Sequence, residues 1–401
     1  MKKITFLRVL LLTLIPTSLS AQENEGINQT TFWNFDQFIQ DDNVANNNPF
    51  NYGGLYIIGH SADKYATISE NQAQMIYGDY TYFTNTRIDF PGGQSQTLPT
   101  SAKEAKEGIA LDVACPGTLY VTYYTKASRT LSVAFAGKTI DNITTTAGQV
   151  DTKSFTNGTI GTYYISTSKG PFSIYAVKFV PTSEEEEATK TLTLSQYGIN
   201  TFSDNHAWKL PEGLKAYYAR SNKNSSDGGV VLGLNEIKDI IPACTGVILK
   251  GDPNSNYTLT SADCGTITND DGKSMINTAY ALRPIISDYH LNATNISTDG
   301  YNNYLLGAKN GKVIFGPAAE GTIKAGKAYY RIKGTEDKNA QTQNASKSMS
   351  LDFGTGGTTN IQQIQAIKMP CTENTYNAIG QIVNASYKGM VIKNGKKYIQ
   401  K

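Results

Sequence analysis

The stretch Gly108-Ile109-Ala110-Leu111-Asp112-Val113-Ala114-Cys115-Pro116-Gly117-Thr118-Leu119-Tyr120-Val121-Thr122-Tyr123-Tyr124-Thr125 decides the fold class. Two runs rich in aliphatic, β-branched and aromatic residues flank Cys115-Pro116-Gly117, which is turn chemistry. The stretch therefore reads strand, turn, strand. The same grammar continues on both sides. Upstream, in Thr31-Phe32-Trp33-Asn34-Phe35, Trp33 and Phe35 alternate with polar neighbours as a half-buried strand would. Downstream, Thr130 to Phe135, Thr162 to Ser166 and Phe172 to Val180 are further short strands. Asn157-Gly158 and Lys169-Gly170 mark turns between them. Strands at this spacing predict a β-sandwich over residues 28–180. Ala102 to Lys106 is long enough for one helical turn, which Gly108 ends.

A solvated linker is expected at 181–189, where Glu184 to Glu187 are four adjacent carboxylates without apolar partners. Adjacent carboxylates point in different directions, and nothing near them would bury one, so they are no catalytic pair. A second β-rich module follows over 190–360. Its strands are read at Thr191 to Leu194, Leu214 to Ala219, Gly229 to Leu234, Gly246 to Lys250, Lys327 to Ile332 and Ser348 to Phe353. Leu305-Leu306-Gly307-Ala308 and Lys312-Val313-Ile314-Phe315 flank Asn310-Gly311, a pair that tolerates positive φ at both centre positions of a type I′ hairpin. The tail, 361–401, carries a second Asn-Gly hairpin at Asn394-Gly395, with lysine-rich strands that blunt an edge. The fold class expected is all-β: two sandwich-like modules, an acidic linker and a short carboxy-terminal hairpin tail.

Composition agrees with this. The chain has 25 Tyr and 36 Gly but only 17% charged residues, and a net charge of +2. A near-neutral chain without a clustered basic face argues against nucleic acid as partner. Met1-Lys2-Lys3, the apolar run to Ile15 and the small residues Ser18, Ser20 and Ala21 have the form of a secretory signal peptide over 1–21. That run is too short to span a bilayer as a mature helix, so no transmembrane segment is expected in the mature chain. The expected location is extracellular or on the outer-membrane surface. Of Cys115, Cys244, Cys264 and Cys371, only Cys244 and Cys264 lie in one module; spacing alone does not choose between a disulfide and free thiols.

Three segments carry a resemblance. Thr31 to Phe35, Thr86-Arg87-Ile88 with Gly92-Gly93, Ile109 to Leu119, Ser128-Arg129-Thr130-Leu131 and Ile174-Tyr175-Ala176-Val177 resemble the galactose-binding-like β-sandwich appended to pectate lyases and similar secreted proteins of polysaccharide-using Gram-negative bacteria. The second module, through Ile241 to Ala243, Thr245 to Gly251, Tyr304 to Ala308 and Ala325 to Tyr329, looks like a β-rich repeat module of such exported proteins. It has Cys244 where relatives usually have glycine. The tail, from Thr375-Tyr376-Asn377 through Gly380-Gln381, is similar to carboxy-terminal segments of the type IX sorting kind. The resemblance implies secretion and a glycan ligand, with Arg87 and Arg129 at basic positions of the pattern.

No constellation in the sequence has the form of an active site. His60, His206 and His290 are far apart, and there is no Gly-x-Ser-x-Gly elbow, Walker loop or Rossmann loop. No two carboxylates stand out as a glycosidase pair. Asp252, Asn254 and Asn256 alternate, with Asp263 beyond, but Tyr257 stands where an EF-hand loop needs glycine. A metal site and a cofactor are not expected. A pyranose shows an apolar C–H face and a rim of hydroxyls, which an aromatic ring beside a charged or amide group can hold. Among Tyr77, Tyr80, Tyr82, Tyr123, Tyr124 and Tyr163, the residues expected to line a ligand site with Arg87 and Arg129 are Tyr82 and Tyr124. The leading expectation is a non-catalytic module protein whose partner is a polysaccharide or surface glycan. The alternatives are an adhesin-like surface protein without a glycan site and, behind it, a polysaccharide-degrading enzyme.

Overall fold

The computed structural model describes residues 26–77, 80–93, 98–167, 169–182, 187–224, 230–262, 282–291, 301–333, 348–353, 375–377, 382–383, 389–393 and 396–400. The signal-like segment 1–21, most of the acidic run, Cys264, Cys371 and the Asn394-Gly395 turn lie outside them. The fold is all-β; one 3₁₀ turn, Ala102–Glu104, stands where a helical turn is expected.

The first half contains β1 (Thr31–Asn34), β2 (Asn43–Ala45), β3 (Phe50–Tyr52), β4 (Leu55–Ile58), β5 (Ala66–Tyr77), β6 (Tyr80–Phe90), β7 (Gly108–Val113), β8 (Gly117–Tyr124), β9 (Thr130–Phe135), β10 (Lys138–Thr144), β11 (Val150–Asn157), β12 (Gly161–Thr167) and β13 (Phe172–Pro181). One sheet runs β11-β8-β13-β6-β5-β2, with β1 also on β13; the other runs β10-β9-β12-β7-β4-β3. Both sheets contribute to one core, with Trp33, Ile88, Ile174 and Val177 from the first and Leu55, Leu131 and Val133 from the second. The decisive stretch forms β7 and β8, one in each sheet, so the Cys115-Pro116-Gly117 turn carries the chain between layers. β1 is buried throughout its length rather than alternately, and the Trp33 indole Nε1 donates to Gly53 O at 2.9 Å.

In the second half, a nine-stranded sheet runs Ile199–Phe202, Val247–Lys250, Lys215–Asn224, Val230–Ile237, Met349–Asp352, Lys312–Pro317, Tyr301–Lys309, Lys327–Lys333, Leu282–Ile285. A bridge between Gly246 and Leu282 brings its far edge back to its beginning, so the sheet curls on itself. Tyr301–Lys309 and Lys312–Pro317 form the expected hairpin, with φ of 53° at Asn310 and 74° at Gly311. In the tail, Gly389–Lys393 and Lys396–Gln400 pair antiparallel, with Lys393 opposite Lys396.

The halves meet along a buried seam. Arg283 donates from Nη1 to Phe38 O at 2.6 Å and from Nη2 to Glu70 Oε1 at 2.9 Å. The Gln37 amide oxygen accepts from Ile286 N at 2.7 Å and Ser287 N at 3.0 Å, and Tyr289 OH donates to Asp42 at 2.8 Å. Cys244 is a buried free thiol whose Sγ donates to Phe32 O at 3.0 Å, and burial pushes its pKa well up. Ile285, Tyr289, Leu291 and Tyr329 join the core of the first half. The docking residues are single positions scattered through both halves, and no local pattern announces them.

Candidate functional site

Period-two alternation builds the site on the seven-stranded sheet. Ile88 on β6, Ile174 on β13 and Tyr123 on β8 point into the core, so Arg87, Asp89, Ser173 and Tyr124 project from the opposite face. The register aligns Asp89, Ser173 and Tyr124 across three adjacent strands. A bulge between Ile174 and Ala176 then places Tyr175 beside them.

Arg87 is the centre. Its Nε donates to Asp89 Oδ1 at 2.9 Å and its Nη1 to Tyr175 OH at 3.3 Å. Its guanidinium carbon lies 4.7 Å from the centroid of the Tyr124 ring and 5.8 Å from that of Tyr175. Burial works against the charge of Arg87, but the Tyr175 and Asp89 contacts outweigh it and raise the pKa. Asp89 also accepts hydrogen bonds from the hydroxyls of Ser69 and Ser173. A guanidinium has five N–H donors, and two are used among the described residues. The patch therefore combines spare donors, a carboxylate acceptor and a half-buried ring.

Arg129 closes the loop that leaves Tyr124. Thr145 clamps this loop: its hydroxyl accepts from Arg129 N at 3.0 Å, and Ser128 Oγ donates to Thr145 O at 2.9 Å. The guanidinium lies against Gly170, in the turn that leads into β13 and Ser173. Arg87, Tyr124 and Arg129 thus gather toward one end of the sandwich.

Tyr82 does not join them. It is buried, stacks on Phe32 at 4.5 Å between centroids, and accepts a hydrogen bond from Lys178 Nζ at 2.9 Å. The reason is parity: Tyr82, Thr84, Thr86, Ile88 and Phe90 are buried on β6, while Arg87 and Asp89 belong to the other set. Tyr123 and Tyr163 are likewise core residues, and Tyr77 packs edge-on against Tyr120. Sequence reasoning missed Asp89, Ser69 and Ser173, which only the strand register connects to Arg87. It also missed Lys178, a buried lysine 4.1 Å from the Tyr77 ring centroid.

Two other polar clusters have the outline of reaction centres. In the first, Asp204 Oδ1 lies 3.0 Å from His206 Nδ1, and His206 Nε2 lies 3.2 Å from Thr31 Oγ1. Thr31 is fully buried, and its hydroxyl donates to Gln29 O at 2.9 Å. Closed off from solvent, that hydroxyl is out of reach of a substrate, so it is not a nucleophile poised for attack. In the second, Asp36 accepts from Thr84, Asn85, Thr86 and Asn34, which occupy both of its oxygens. That is a structural acid, closed to substrate. Among the described residues, no three His, Cys, Asp or Glu side chains are grouped to hold a metal ion. No helix of the described residues is long and apolar enough to cross a membrane.

No protein-family model matches the chain, and no curated protein is similar to it in sequence. The likeness to the galactose-binding-like sandwich rests on the residues that carry it and on an all-β architecture compatible with it.

Proposed function

We propose that this chain is an exported, non-catalytic binding protein whose first sandwich holds a glycan at the Arg87–Tyr124 end. The observation that carries the reading is the convergence of Arg87, Asp89 and Tyr124. Sugar hydroxyls need donors and acceptors at fixed spacing, and a pyranose C–H face needs a ring edge or face. Asp89 and Tyr175 hold the guanidinium before any ligand arrives, which lowers the ordering cost of binding. The signal-like start and the sorting-like tail support an extracellular or outer-membrane location. The adhesin reading draws on the same Arg87–Asp89 pair, which satisfies much of its own hydrogen bonding.

The test is electrophoresis of the full chain through native gels cast with a panel of plant and host polysaccharides. Retardation by at least one of them is expected. Arg87→Ala and Tyr124→Ala should each weaken it by about tenfold or more, since each removes a charge-assisted or stacking contact. Tyr82→Phe, which removes a buried hydroxyl bonded to Lys178 away from the site, should leave it unchanged. Migration unaffected by every polysaccharide would favour a protein-binding surface, and release of sugar products would favour an enzyme.

A further inference from the structure

Arg129 differs from Arg87 in one respect: it has no counter-charge among the described residues. Its Nε is closed off from solvent and has no hydrogen-bond partner among the described residues. The guanidinium makes one long contact, from Nη1 to Ser128 O at 3.4 Å. No carboxylate among the described residues pairs with it. The chain nevertheless makes room for it. A Cβ on Gly170 would lie 2.8 Å from Nε and 2.9 Å from Nη2, so the guanidinium occupies space that any other residue at 170 would fill. Gly170 also has φ of 70°, a conformation that favours glycine. Exposed Lys126, in the same loop, and exposed Lys169, next to Gly170, add positive charge to these two touching loops.

A partly buried cation loses hydration, and among the described residues only the long Ser128 O contact offsets that loss. An oxyanion brought to it gains more than one brought to a solvated lysine, because the surrounding dielectric is lower. The planar fork of the guanidinium suits a carboxylate or sulfate end-on through its terminal nitrogens. We propose that the glycan bound at this end is anionic and that Arg129 selects it by pairing with an oxyanion on the sugar, while Lys126 and Lys169 steer it in. The inference rests on the glycan-binding reading and adds the charge of the ligand to it.

The experiment uses the full chain in native gels containing polygalacturonate, its methyl ester, dextran sulfate or neutral galactan. Stronger retardation by polygalacturonate than by its methyl ester is expected if the anion is a carboxylate. Retardation by dextran sulfate without polygalacturonate would assign a sulfate ester instead. Arg129→Gln should weaken retention by the acidic polymer about tenfold or more, and Arg129→Lys should recover only part of it. Lys126→Gln should act mainly through the salt dependence. The free-acid and methyl-ester comparison needs no variant, so it decides even if an Arg129 variant misfolds. Binding of neutral galactan with no preference for either acidic polymer overturns the inference and leaves the glycan reading standing. Equal losses from Lys126→Gln and Arg129→Gln also overturn it, because diffuse charge would then suffice. Retardation by none of the polymers removes both.

Discussion

Buried acids show how the chain treats charge at single residues. Asp36 accepts six hydrogen bonds, from Thr84 Oγ1, Asn85 N and Nδ2, Thr86 N and Oγ1, and Asn34 Nδ2. Burial pushes its carboxyl above the usual range, against the pull of the Asn85 amide, Arg283 and the two threonine hydroxyls. Asp36→Asn would set an NH₂ group against donors, so a loss of about 2 kcal/mol or more is expected in chemical denaturation. Asp204 behaves in the opposite way. Burial alone would raise its pKa, but hydrogen bonds and charge from His206 and Lys190 hold it at about 2. A carboxyl held below its unfolded value stabilises the native state above about pH 4. That contribution drains as pH falls through about 2. The stability gap between wild type and Asp204→Asn should therefore be constant above about pH 4.5 and shrink on further acidification; a gap undiminished at pH 2 would refute this account of Asp204.

Strand-level behaviour separates turn chemistry from packing. A Cβ on Gly311 would meet nothing within 4 Å, yet its φ is 74°. Gly307, in the strand before it, is equally open and has no positive φ. Gly311→Ala should therefore cost about 1 kcal/mol through backbone strain alone, while Gly307→Ala should be neutral or slightly stabilising. Comparing the two melting temperatures checks this. The hairpin was readable because Asn-Gly states its own geometry. β7, β8, β9 and β13 were readable because burial writes apolar runs into them. The long β5–β6 hairpin was not. Glu70, Asn71, Gln72 and Gln74 form a polar run without strand alternation, and a bulge between Glu70 and Ala73 interrupts the pairing there. Recognising β6 as a strand would have placed Arg87 and Asp89 on one face and Tyr82 on the other. The partner strands of the site would still have been hidden, because register across β6, β13 and β8 is a property of the folded sheet.

At the scale of the molecule, the seam makes the two halves interdependent. Arg283 is half-buried and spans them, bonding to Asp36 O, Phe38 O and Glu70. Burial works against its charge, and Tyr329, Glu70 and Asp36 restore it. Removing one partner of a fully buried pair costs about 3–5 kcal/mol, and the partial exposure of both side chains here brings the expected cost below that range, whereas replacing both with apolar groups can be nearly neutral. Arg283→Met should therefore be destabilising, and the double variant Arg283→Met with Glu70→Leu should recover much of the loss. The chain provides its own reporters, since its 2 tryptophans fall one in each half, at Trp33 and Trp208. With Trp33→Phe and Trp208→Phe backgrounds, fluorescence follows each half alone during denaturation. The two transitions should coincide when Arg283 is present and separate when it is methionine, with the half that retains its own closed core melting last. Coincident transitions in the Arg283→Met background would mean that apolar contacts of Ile285, Tyr289 and Tyr329 carry the coupling, and that the half-buried charge contributes stability without contributing cooperativity.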